Sequence, residues 1–191
     1  MRLSIVIPTI GRSTLSRTLD SLVQTGLKPN DEILVIGDGG QPEAERICKV
    51  SQEAGLPVVY RECGPTNCYG NAQREFGQKL ATGDAIVYID DDDEYLNNAL
   101  SVMREHADEK PENIQIFKFQ HRTLGVIWKE QAIRMGNVST QMVLVPNHQE
   151  RLGKWPNVYE GDYWFIRRTV DNWPYADRGI LWRDEVVAVQ H

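Results

Sequence analysis

A short apolar run, Ala85-Ile86-Val87-Tyr88-Ile89, leads without a break into five acids, Asp90-Asp91-Asp92-Asp93-Glu94. A run of this length and composition has the pattern of a buried strand. The acids then sit at its C-terminal end, the edge where open α/β sheets form their ligand crevices. Carboxylates packed so closely repel one another unless a cation or a cationic partner joins them. An all-oxygen cluster suits a hard divalent ion such as Mg2+ or Mn2+. A solvated acidic turn is the competing explanation, and the sequence that precedes the run argues against it.

That preceding sequence alternates strand and helix. Leu3–Ile7 is an apolar strand ended by Pro8. Ser13 or Thr14 caps a helix in which Leu15, Leu19, Leu22 and Val23 recur at helical spacing, with Gly26 as its stop. Glu32–Ile36 is a second strand, ending in Gly37-Asp38-Gly39-Gly40. Pro42 opens a second helix, with Ile47 and Val50 on one face, and Val58–Tyr60 is a third strand. A Gly-, Pro- and Asn-rich loop, Glu62–Tyr69, precedes a helix over Gly70–Leu80 whose apolar side is Ala72, Phe76 and Leu80. Leu96, Leu100 and Met103 mark a further helix. The order predicts an α/β fold, a mostly parallel sheet covered by helices on both faces.

The second half differs. Ile114–Phe119, Thr123–Trp128, Ile133–Met135 and Gln141–Val145 read as strands, Asp162–Val170 as a helix, and Ile180–Trp182 with Glu185–Val189 as a closing hairpin. With 191 residues and no evident linker, one domain with a full core is expected. A net charge of −6 argues against a surface that coats nucleic acid. No apolar run approaches the roughly 18–20 residues of a membrane span, and the apolar stretch at Leu3–Ile7 is too short for a signal peptide. Cys48, Cys63 and Cys68 give an odd count without zinc-like pairing, so reduced thiols and a cytoplasmic location are expected. His106, His121 and His148 lack metal-like spacing and read as structural or exposed.

Three further constellations carry chemistry. Pro8-Thr9-Ile10-Gly11-Arg12 turns the first strand into its helix and offers backbone N–H groups to an anionic or polar ligand. Asp38, flanked by glycines at a strand end, suits a nucleobase or ribose, although an Asp-Gly turn explains it equally well by itself. Arg74, early in the third helix, can face the same crevice. A P-loop is excluded, because Gly11-Arg12-Ser13-Thr14 lacks the second Gly and the Lys. An EF-hand loop is excluded too: counted from Asp90, the sixth position is Tyr95 instead of Gly.

Taken in order, these motifs resemble the family-2 glycosyltransferases of the GT-A fold. The resemblance runs from Leu3 to Asp93 and resumes at Thr140–Arg168. It implies one domain over 1–191, with a nucleotide-sugar-binding half (1–93) and an acceptor half (94–191). It implies that Pro8, Thr9, Arg12, Asp38, Gly39, Gly70, Arg74, Asp90 and Asp91 line the nucleotide sugar. The acidic run matches the family's Asp-x-Asp signature, with Asp92 and Asp90 as metal-site residues, although four adjacent aspartates allow the register to slide by one. His191 stands where some members supply a histidine ligand. The implied cofactor is Mn2+ or Mg2+, and the implied donor is a UDP- or GDP-sugar.

Val158-Tyr159-Glu160-Gly161-Asp162-Tyr163-Trp164 resembles the family's Glu-Asp motif, which makes Asp162 the candidate general base of an inverting transfer. Two departures stand out: Glu75 replaces an Asn after Arg74, and Gly161 replaces the Glu before Asp162. Trp155 and Trp164 are candidates for stacking on a sugar. The acceptor (saccharide, protein, lipid or modified nucleic acid) and self-association are left open. A sugar nucleotidyltransferase and a catalytically degenerate sugar-nucleotide-binding module are the alternative readings.

Overall fold

Leu3–Thr9 forms β1 and is buried along its whole length, the environment of a central parallel strand covered on both faces. In the computed structural model, which describes residues 1–174 and 179–191, β2 (Glu32–Asp38), β3 (Val58–Cys63) and β4 (Ala85–Tyr88) join β1 in the order β3-β2-β1-β4. All three pairings are parallel. The chain therefore builds outward from β1 to β3 and returns to lay β4 on the other side of β1. This reversal places a topological switch point between the C-terminal ends of β1 and β4, where α/β sheets open a ligand crevice.

The crossovers are α1 (Leu15–Leu22), α2 (Pro42–Glu53) and α3 (Asn71–Leu80). α1 buries Leu15, Leu19 and Leu22 as the spacing predicts, while Val23, just past it, is exposed. α2 starts at Pro42 and buries Ala44, Ile47 and Cys48; Val50 faces solvent. α3 is rotated from its predicted orientation, with Ala72 and Phe76 only half-buried and Phe76 at the edge of the core. Its buried side is Asn71, Gln73, Arg74, Gly77 and Gln78, and Leu80 is exposed. Gly77 explains the choice: a Cβ there would lie 2.6 Å from Val6 Cγ1 and 3.1 Å from Ile36 Cγ1, so the helix sits tight on β1 and β2 through that glycine. The polar neighbours it carries inward find partners. Gln78 Oε1 accepts from the Tyr88 hydroxyl at 3.0 Å and from Trp155 Nε1 at 3.1 Å.

The second half is mixed, as expected. β8 (Val143–Pro146) runs antiparallel to β4, and β6 (Ile114–His121) antiparallel to β8. β9 (Ile180–Gln190) is parallel to β6, and β5 (Asp93–Tyr95) is antiparallel to β9. β7 (Gly125–Ile127) forms a hairpin with β6. α4 (Ala99–Glu109) and α5 (Gly161–Asn172) complete the elements.

Three predicted elements differ. The closing hairpin is one continuous strand, β9, with an irregular register opposite Ile116–Phe119. The polar residues that read as its turn are held by side chains of neighbouring elements: Arg183 Nε donates to Gln115 Oε1 at 2.9 Å and Asp184 pairs with Lys118 at 2.6 Å. Ile133–Met135 forms no strand. Asn137 organises that segment as a loop, donating to the carbonyls of Glu130 and Ala132 and accepting from Lys129 N–H. Thr140–Met142 is a 3-10 turn and not the beginning of β8, which turns Gln141 toward the acidic run. Among the described residues no helix is long and apolar enough to cross a membrane, and the three cysteines are free thiols.

Candidate functional site

The acidic run lies at the β1/β4 switch point. β4 ends at Tyr88, the chain turns with Asp93 N–H on the Asp90 carbonyl (3.2 Å), and β5 begins at Asp93. The carboxylates fan out to separate partners. Asp91 is buried, accepting from the Thr9 hydroxyl at 2.6 Å and from Arg12 Nη1 at 2.9 Å. The same Arg12 nitrogen reaches half-exposed Asp92 at 2.9 Å. Asp90 forms an ion pair with buried Arg74, and its other oxygen accepts from Gln141 Nε2 at 3.0 Å. Gln141 Nε2 also donates to Asp93 Oδ2 at 2.6 Å. Arg17 pairs with Glu94 at 2.9 Å and donates to the Asp92 carbonyl. Three arginines thus supply the cationic partners that a run of like charges requires.

Asp93 stands apart. It is 1% exposed, and its Oδ1 is buried without a hydrogen-bond partner. Burial, with the neighbouring Asp90 charge, pushes its carboxyl up to about 8. Burial also raises Asp91, against the pull of Thr9 and Arg12. One oxygen from each of Asp90, Asp92 and Asp93 lies within 4.8 Å of the others, a group able to hold a metal ion. The donor set fits a hard divalent cation: it is all carboxylate, and Asp93 Oδ1 is a buried acceptor that nothing else satisfies. His191 is not in this group. Its Nε2 lies 2.8 Å from Glu94 Oε1.

Other predicted donor-side residues organise the loops at the strand ends. Gly70, at φ +78°, abuts the Pro8 ring, where a Cβ would lie 3.1 Å from Pro8 Cβ; this contact sets the start of α3, and with it Arg74, against the first loop. Asp38 binds the loop that follows β3. Its Oδ1 accepts from the N–H and hydroxyl of Thr66 (2.6 and 3.0 Å), and its Oδ2 from Asn67 N–H (3.0 Å). Gly39 adopts φ +71° and packs 3.6 Å from Pro65 by its missing Cβ.

Asp162 lies in the first turn of α5, half-buried, with Oδ1 accepting from Tyr163 N–H at 2.7 Å. Burial raises its carboxyl above the ordinary Asp value, opposed by that N–H, by Arg74 and by Ser139. It shares a cleft of about 300 Å³ with Arg74, Asp90, Gln141 and Ser139. Trp155 is core: it is 7% exposed and stacks on Phe165 with ring centroids 4.2 Å apart. Trp164 is half-exposed beside Arg168. His121 accepts the Thr123 and Leu124 N–H groups through Nδ1 and borders the cleft. Gln141, Ser139 and Asn71, none of them a predicted site residue, also line the cleft; their signal in the sequence is a glutamine leading directly into the apolar run Met142–Val145.

The family described as Glycosyl transferase family 2 matches residues 4–172. The chain belongs to glycosyltransferase family 2. An uncharacterized glycosyltransferase of Mycoplasma genitalium is 27% identical over 137 residues, covering 68% of this chain and 45% of that protein. The GalNAc(5)-diNAcBac-PP-undecaprenol β-1,3-glucosyltransferase of Campylobacter jejuni is 26% identical over 113 residues, 56% of this chain and 35% of that one. This family-2 chain therefore spans less than half the length of both relatives. Among solved structures, Staphylococcus aureus TarS superposes with a TM-score of 0.81 at 15% identity, over 100% of this chain and 36% of TarS. A TarS 1–349 complex with UDP-GlcNAc gives 0.78 at 16% identity, over 99% of this chain and 58% of that one. Likeness at this level establishes the GT-A fold.

Proposed function

We propose that this chain is a divalent-metal-dependent glycosyltransferase that moves a sugar from a nucleoside diphosphate sugar to an acceptor hydroxyl with inversion. The observation that carries the reading is the meeting of Asp90, Asp92 and Asp93 within 4.8 Å at the switch point, with Asp90 and Asp162 bordering one cleft. The TarS complexes with UDP and with UDP-GlcNAc favour a uridine nucleotide as donor. A divalent ion held by Asp90, Asp92 and Asp93 would neutralise the diphosphate and the charge that grows on it as it leaves.

This chain's own residues supply the rest. Asp38 retains acceptor capacity on Oδ2 after binding Asn67, enough for one hydrogen bond from a base. Arg12 fixes Asp91 and Asp92 together, and Gln141 fixes Asp90 relative to Asp93. Asp162 removes the acceptor proton while the acceptor oxygen bonds to the anomeric carbon; the bond from that carbon to the diphosphate oxygen breaks, and the diphosphate departs with the electron pair. Transfer, not nucleotidyl exchange, is what the family match favours.

Titration calorimetry with UDP, with and without Mn2+, tests the donor site. Binding that requires Mn2+ and is lost in Asp92→Ala is the expected result. A wild-type protein that ignores UDP and UDP-GlcNAc with Mn2+ present would sink the reading.

A further inference from the structure

Two tyrosines line the Asp162 cleft. Tyr69 and Tyr159 are 63% and 78% exposed, yet their rings meet edge to face with centroids 5.6 Å apart. Two exposed aromatic rings in contact at the lining of a cleft offer flat apolar faces on which a ligand can stack. Tyr69 also adopts φ +57°, in the left-handed region that side-chain-bearing residues rarely use. Backbone strain of this kind concentrates at ligand sites. The strain is held in place by Arg74, whose Nη1 donates to the Tyr69 carbonyl at 3.0 Å. Tyr159 leads directly into α5, whose first turn carries Asp162.

Charge narrows what can sit there. Beyond the paired Asp90 and Arg74, the cleft lining contains the carboxylates of Glu160 and Asp162, the imidazole of His121, and no lysine among the described residues. An anionic acceptor such as a phospholipid, a polyphosphate or a nucleic acid would meet repulsion at this mouth. A neutral pyranose ring fits: its C–H face lies against an aromatic ring, and its hydroxyls find the polar floor around Ser139 and Asp162.

We propose that Tyr69 and Tyr159 form an aromatic shelf that binds a neutral sugar ring, making the acceptor an uncharged saccharide. The proposal rests on the reading of Asp162 as base and names the acceptor class for that site.

An array of neutral, sialylated and phosphorylated glycans, probed with the full chain with and without UDP and Mn2+, tests it. Wild type is expected to bind neutral glycans. Tyr159→Ala and the Tyr69→Ala/Tyr159→Ala pair should bind about tenfold more weakly, with the Phe variants restoring binding because they keep the ring. Circular dichroism and UDP titration check each variant's fold and donor site. Should the double variant not fold, Tyr159→Ala, at the more exposed position, decides the matter. Preference for charged glycans, absence of neutral-glycan binding by wild type, or undiminished binding by Tyr159→Ala would each overturn the shelf. Failure of UDP to bind wild type is a separate result, which sinks the donor reading and leaves the array outcome interpretable.

Discussion

Gly161 lies directly against the side-chain amide of Asn71, where a Cβ would overlap it. That amide donates to the carbonyls of Pro156 and Val158 at 2.9 and 2.8 Å, so α3 clasps the segment entering α5. The arrangement accounts for the glycine that stands where the family pattern has Glu. A side chain before Asp162 has to displace this asparagine clasp.

Gly161→Ala should therefore destabilise the fold by about 1–3 kcal/mol, the usual range for overpacking. Urea unfolding reads this directly. Asn71→Gly combined with Gly161→Ala should recover part of the Ala penalty by opening space. Equal stability of Gly161→Ala and wild type would show that the clasp yields freely.

Asp93 gives the metal-free protein a pH dependence of unusual sign for a carboxylate. Its folded value of about 8 lies above the unfolded 3.8, so the folded state holds the extra proton between the two. Stability from this group is fully present below the unfolded value and is lost as the pH rises through about 8. In EDTA, the urea midpoint should fall between about pH 5 and pH 8.5. Asp93→Asn should flatten the slope, and so should saturating Mn2+, which favours the ionised carboxylate. An identical slope in Asp93→Asn would assign the effect elsewhere.

The legible parts of this molecule were those governed by local chemistry. β1, β2 and β4 are continuous apolar runs, and the loops after them carry glycines and acids at strand ends, so the parallel half and the crevice could be read along the chain. What escaped depends on distant partners. The polar face of α3 is buried because Gly77 meets Val6 and Ile36 and because Gln78 finds Tyr88 and Trp155; helical periodicity of apolar residues points to a different face. Arg183 and Asp184 look like a turn until Gln115 and Lys118 stand beside them. Gln141 became a site residue only once the 3-10 turn aimed it at Asp90 and Asp93.

Trp155 illustrates the same point as a prediction. Its indole stacks on Phe165, lies under the Arg74 guanidinium and donates to Gln78. Trp155→Ala should destabilise by about 3–5 kcal/mol, as for a buried aromatic, and depress every activity through loss of folded protein. A variant of unchanged melting temperature with a selective rise in acceptor KM would return Trp155 to a sugar-stacking role.

Asp162→Asn separates chemistry from binding. The amide keeps the size of the side chain and can still accept Tyr163 N–H, so fold and UDP affinity should match wild type. Proton removal from the acceptor is lost, and transfer should fall by about 10²–10⁴-fold, the range that general base catalysis contributes. Burial holds the Asp162 carboxyl above its ordinary range, and a base works when deprotonated. The wild-type rate should therefore rise with pH through that elevated value and level off above it, and the rising limb should be absent from the residual activity of Asp162→Asn. Ser139→Ala removes a group that lowers the Asp162 value, which should move the limb to higher pH. Full transfer activity in Asp162→Asn, measured as UDP released in the presence of acceptor, would require another base in the cleft.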